Sequence, residues 1–147
     1  SNPHYGLWPT FFRMSMQRPK TLVKVTAQLR LRPVVETPED ARLSLFSEDM
    51  PKKQLLKYYK KLDDESFRMF MDLLGLNLAH PKKVKSPLLI LGAEKDMAIT
   101  PDQVHANAKA YGLQAEIFPN MAHDMMLEKD WKSVAERILS WLKERGI

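Results

Sequence analysis

The sequence predicts an α/β chain in which a helical first half is followed by strand, helix, strand and helix. Four observations in the second half carry this. The stretch from Ser86 to Gly92 is a short, nearly continuous apolar run, as expected of a strand buried on both faces. Thr100 and Pro101 open a helix, with Gln103 spaced to complete a capping box, and this helix ends near Tyr111 and Gly112. Gln114 to Phe118 then alternates in polarity as a second strand does, and Pro119 and Asn120 end it. Asp130 caps a long final helix whose apolar stripe holds Trp131, Val134, Ala135, Ile138, Leu139 and Leu142. A strand, helix, strand unit of this kind implies a parallel pair joined by a right-handed crossover.

The first half reads as helices separated by short breaks. Thr10 to Met16 is a short apolar stretch with helical character. Pro19 to Leu31 is a longer helix with proline at its first position. The break around Arg32 and Pro33 follows, because proline disfavours helix in the residue before it. Thr37, Pro38, Glu39 and Asp40 make a helix start, with a cap, a proline in the first turn and two acids at the positive end of the dipole. That helix is expected to reach Phe46, and another to run from Met50 and Pro51 to Leu62. Asp63 or Asp64 is expected to cap a third, containing Phe67, Met69, Phe70, Leu73 and Leu74 and stopped by Gly75. Leu56, Tyr59, Phe67 and Phe70 are expected to face a shared interior.

Composition narrows the function classes. The 147 residues are 44% hydrophobic and 28% charged, as in an ordinary soluble globular chain of one domain's length. No apolar run approaches the ~18 residues of a membrane span, and the opening residues lack the basic and apolar regions of a signal peptide. Cysteine is absent, which excludes disulfides, thiolate catalysis and cysteine-ligated metals. A cytoplasmic location is the default expectation. Residues 1–86 hold 16 Lys/Arg against 9 Asp/Glu, a surplus of 7 positive charges, whereas residues 87–147 hold 7 against 9. A basic half invites nucleic acid or an anionic surface as partner, but no aromatic-interleaved basic motif accompanies it. Lys52, Lys53, Lys57, Lys60 and Lys61 alternate with Leu55, Leu56, Tyr58, Tyr59 and Leu62, which is the pattern of the wet side of an amphipathic helix. No nucleic-acid partner is therefore expected. The nine methionines read as gap fillers. His4, His80, His105 and His123 are scattered, without a helical pair or a matching carboxylate cluster, so no metal or cofactor is expected.

Two polar residues occupy equivalent places. Asp96 lies four residues after Gly92, past the carboxyl end of the first expected strand, and His123 lies five after Phe118, past the end of the second. Ligands of open parallel sheets bind at that edge, and neighbouring strands are about 4.8 Å apart. A carboxylate and an imidazole carried on adjacent loops can then meet, the carboxylate fixing the ring's tautomer and leaving the other nitrogen for proton transfer.

The segment from Ser86 through Asp96 to Pro101 resembles the region after the seventh strand of α/β hydrolases, where the triad acid sits. The segment from Ala115 through His123 to Leu127 resembles their eighth strand and histidine loop, and the helix around Trp131, Ile138 and Trp141 is similar to their last helix. The resemblance covers residues 84–147, and residues 7–78 are similar to the helical lid inserted before those strands. It implies the carboxyl-terminal part of an α/β-hydrolase fold, with the last two parallel strands and their helices at residues 87–147 and a helical lid region at 1–86. It further implies an esterase- or lipase-like serine hydrolase acting on a small-molecule ester or acyl substrate, with Asp96 as triad acid and His123 as general base. Glu94 and Asp102 are offset from the acid's position, and Asp124 reads as a solvated or structural neighbour.

The nucleophile of that family stands in a Gly-x-Ser-x-Gly elbow ahead of the acid and histidine. The five glycines here are Gly6, Gly75, Gly92, Gly112 and Gly146, and none lies four residues from another. The serine and the oxyanion-hole loop are therefore expected in an amino-terminal half outside these residues. Without it the chain is expected to self-associate through its bare strand edge and to lack esterase activity. Two alternatives stay open: a hydrolase with an Asp nucleophile, of dehalogenase or epoxide-hydrolase type, and a non-enzymatic binding or interaction module.

Overall fold

The structure, a computed structural model, describes residues 2–147. It corrects the expected fold class. The chain is 55% helical, with seven α-helices and two short parallel strands among the described residues, so it is a mostly helical small domain and not an α/β-hydrolase portion. The helices are α1 (Trp8–Gln17), α2 (Pro19–Gln28), α3 (Pro38–Leu45), α4 (Lys52–Tyr59), α5 (Phe67–Met71), α6 (Pro101–Ala110) and α7 (Trp131–Glu144). The strands are β1 (Ile90–Ala93) and β2 (Ala115–Phe118), paired in parallel with Ile90 opposite Ala115 and Ala93 opposite Phe118. The expected strand from Ser86 is thus cut to four residues. The reason is the partner: β2 follows the turn at Tyr111–Gly112, where Gly112 has φ 69°, and Leu113 and Gln114, in register with Leu88 and Leu89, are not paired as strand. Pro87 adds no N–H to such a ladder. Two four-residue strands make a small sheet that is marginal without helices packed on it, and most of the described residues are helical.

Local chemistry explains most helix ends. Arg18 separates α1 from α2 with an extended φ of −136°, as the following Pro19 demands. α2 ends at Leu29 in the left-handed conformation, φ 51°, a place usually given to glycine. Thr37 caps α3 through its hydroxyl to the Asp40 N–H at 3.1 Å, and Asp40 returns a carboxylate bond to the Thr37 N–H at 3.2 Å. α5 is capped by Ser66, whose hydroxyl accepts from the Met69 N–H at 3.2 Å, and not by Asp63 or Asp64. Asp64 is engaged elsewhere: it accepts from the Leu31 and Arg32 amides at 3.1 and 2.9 Å and pairs with Arg30 at 2.9 Å. The chain leaves α5 through a wide turn over Asp72–Leu76, which Gly75 closes at φ 154°.

Two apolar clusters result. Ala41, Phe46, Met50 and Leu55 are buried together, with Val35, Tyr58, Tyr59 and Leu127 packed around them. Leu55, not Leu56, faces this interior. Ala93, Met121 and Val134 form the second cluster beside Leu91, Phe118 and Met125. Gly92 lets β1 press against α6 and β2: a Cβ there would lie 2.9 Å from both Ile117 Cδ1 and Val104 Cγ2. The stripe of α7 is only partly covered, with Val134 buried while Trp131 and Leu139 stay exposed. No helix among the described residues is long and apolar enough to cross a membrane.

Candidate functional site

Both loops that leave the strand pair are fastened to each other before they reach their polar residues. The Glu94 N–H donates to the Phe118 carbonyl at 2.9 Å and the Lys95 N–H to the Met121 carbonyl at 2.8 Å. The Glu94 carboxylate accepts from the Asn120 N–H at 2.8 Å, so Glu94 is a brace between the loops and stands apart from the site. This lacing sets Asp96 and His123 side by side: Asp96 Oδ2 lies 2.9 Å from His123 Nδ1.

Asp96 is buried and its other oxygen, Oδ1, accepts from the Ala98 and Ile99 N–H groups at 2.7 and 2.8 Å. Three donors therefore hold one carboxylate, which satisfies a charge that burial alone would make costly. The hydrogen bond to Asp96 raises the His123 pKa above its ordinary value; burial works against it, and the charges of Asp96 and Asp124 add to the rise. With Asp96 ionised, Nδ1 carries the proton of the neutral ring. Among the described residues no hydrogen bond reaches Nε2, and the His123 side chain keeps 38% exposure.

His123 and Asp124 lie on the wall of a cleft of about 970 Å³. Its lining is largely apolar, with Phe11 and Met14 from α1, Val25 from α2, Leu43 and Leu45 from α3, and Met69 and Phe70 from α5. Asp124 has no side-chain hydrogen bond among the described residues, and burial pushes its carboxyl above the usual range, with Asp96 and Glu128 adding to the rise against the pull of His123. Its backbone N–H donates to the Leu45 carbonyl at 3.0 Å, so the histidine loop is tied to the end of α3. Glu128 reinforces that tie. Its carboxylate is buried and accepts from the Ser47 N–H at 2.7 Å and the Ser47 hydroxyl at 2.5 Å.

Asp102 sits in the first turn of α6 and bonds neither Asp96 nor His123 among the described residues. His4, His80 and His105 are not brought to His123, and no group of three or more His, Asp or Glu side chains is placed to hold a metal among the described residues. Sequence reading missed the Glu128–Ser47 contact, the unpartnered carboxylate of Asp124 on the cleft wall, and a cluster from α1 on the acid loop, where Arg13 and Thr10 bond the carbonyls of Met97 and Ala98. The one available signal was Arg13 itself, a lone charge in the apolar stretch Thr10–Met16.

No protein-family model matches the chain, and no curated protein or solved structure matches it either.

Proposed function

We propose that Asp96 and His123 are the acid and general base of a hydrolase that cleaves a carboxylic ester or related acyl bond, with a serine nucleophile supplied from outside residues 1–147. The observation that carries this reading is the 2.9 Å bond that Nδ1 of His123 donates to Asp96, with Nε2 free of partners among the described residues and the ring beside a large apolar cleft. The resemblance of residues 84–147 to the acid and histidine segments of α/β hydrolases supports it.

In the proposed reaction Nε2 accepts the hydroxyl proton of the serine as its oxygen attacks the acyl carbon. The imidazolium so formed is stabilised by Asp96. Nε2 then gives the proton to the leaving alkoxide; in the second half the same nitrogen deprotonates a water that attacks the acyl-enzyme, and it returns that proton to the serine oxygen as the acid is released. The apolar walls of the cleft exclude water from the acyl chain and hold it by burial, at about 25 cal/mol per Å² of apolar surface removed from water.

The test is hydrolysis of p-nitrophenyl butyrate by residues 1–147 alone and by a longer polypeptide that joins them to an elbow-bearing amino-terminal segment. The isolated chain should show no turnover above buffer, because the nucleophile and oxyanion donors supply the largest share of acyl transfer. The longer polypeptide should turn over, and His123→Ala should reduce its kcat by at least about 10³-fold. Turnover by the isolated chain that disappears with His123→Ala would refute the external nucleophile. An inactive longer polypeptide whose cleft still binds apolar ligands would favour the second reading, a binding module, which the missing elbow itself suggests.

A further inference from the structure

The two peptide groups that hold Asp96 are themselves held from the other side. The Met97–Ala98 peptide donates its N–H to Asp96 Oδ1 at 2.7 Å and accepts at its carbonyl from Arg13 Nη2 at 2.8 Å. The next peptide, Ala98–Ile99, donates its N–H to the same oxygen at 2.8 Å. Its carbonyl accepts from the Thr10 hydroxyl at 2.6 Å and from Arg13 Nη2 at 3.1 Å. Gln103 completes the cluster, its amide donating to Thr10 Oγ1 at 3.0 Å while its oxygen accepts from the Thr100 N–H at 3.1 Å. Arg13 forms no ion pair with a carboxylate among the described residues, and carbonyl oxygens take its hydrogen bonds.

We propose that Arg13 and Thr10 are positioning residues for Asp96: through two consecutive peptide groups, helix α1 fixes the carboxylate that orients His123. The inference rests on the Asp96–His123 pair and is independent of whether that pair serves a hydrolase. It assigns to α1, 80 or so residues distant in sequence, a role in setting the basicity of the imidazole.

The experiment is an NMR pH titration of the histidine Cε1–H resonances in residues 1–147, with His123 assigned by its absence from His123→Ala. Asp96→Asn provides the reference and should lower the His123 midpoint towards that of a free imidazole. Arg13→Met should lower it in the same direction by a smaller amount. A direct effect of the charge on His123 would have the opposite sign, since removing a cation raises an imidazole pKa. Thr10→Val should also lower it, and Thr10→Ser, which keeps the hydroxyl, should not. The Thr10 pair serves as the check should Arg13→Met fail to fold, as judged by circular dichroism. If Asp96→Asn lowers the midpoint while neither Arg13→Met nor Thr10→Val does, the positioning role is wrong and the pair stands. If Asp96→Asn leaves the midpoint unchanged, the pair itself is wrong, and the inference falls with it.

Discussion

Replacing Glu128 should unfasten the histidine loop from the helices that wall the cleft. Its carboxylate and Ser47 are both buried, and the two contacts at 2.7 and 2.5 Å join positions 81 residues apart. A hydrogen bond to a charged group contributes about 1.5–3 kcal/mol, and a buried donor left without a partner costs about 1–3 kcal/mol. Glu128→Ala removes both bonds and strands the Ser47 N–H, but it also relieves the burial of a charge that forms no ion pair among the described residues. The expected net loss is about 2–4 kcal/mol. Glu128→Gln keeps an acceptor for the N–H and offers an amide to the hydroxyl, so it should cost only about 1 kcal/mol. Equilibrium urea unfolding at pH 7, followed by far-ultraviolet circular dichroism, measures both; a shifted midpoint at constant slope reports stability. The reasoning fails if Glu128→Ala costs less than about 0.5 kcal/mol, the scale of an ordinary surface change, or if the Gln variant is as unstable as the Ala variant.

Other expectations follow from the same geometry. Gly92→Ala should cost about 1–3 kcal/mol in the same assay, because its Cβ would lie 2.9 Å from Ile117 Cδ1 and Val104 Cγ2 in a packed interior. The raised His123 pKa sets a pH dependence of stability: the hydrogen bond's contribution is fully present below the unfolded imidazole's value and is lost as pH rises through the folded one. Unfolding midpoints measured from pH 5.5 to 9 should therefore show a fall over that interval that Asp96→Asn flattens. Burial raises the Asp124 carboxyl, so its ionised form opposes folding at neutral pH and above, and Asp124→Asn should shift the urea midpoint upward at pH 8.

What could be read from the sequence alone was local. The helix starts at Thr37–Pro38 and Thr100–Pro101 were legible because a cap and its partner lie three residues apart, and that chemistry is the same in any fold. The equivalent placement of Asp96 and His123 after two expected strands was legible for a related reason: each residue's position depends only on its own strand and loop, and the structure brings the two to 2.9 Å. Features that depend on which surfaces meet were not legible. Asp64 reads as a helix cap until its carboxylate is seen bonded to the amides of Leu31 and Arg32, which leaves the cap to Ser66. The short apolar run from Ser86 to Gly92 reads as strand from its start, yet only Ile90–Ala93 finds a partner, since a strand exists only as far as its neighbour does. That shortening turns an expected α/β layer into a ribbon on a helical domain. The contacts of Glu128 with Ser47 and of Arg13 with the acid loop leave no periodic trace, because a buried charge is satisfied by whichever donors or acceptors the packed helices bring to it.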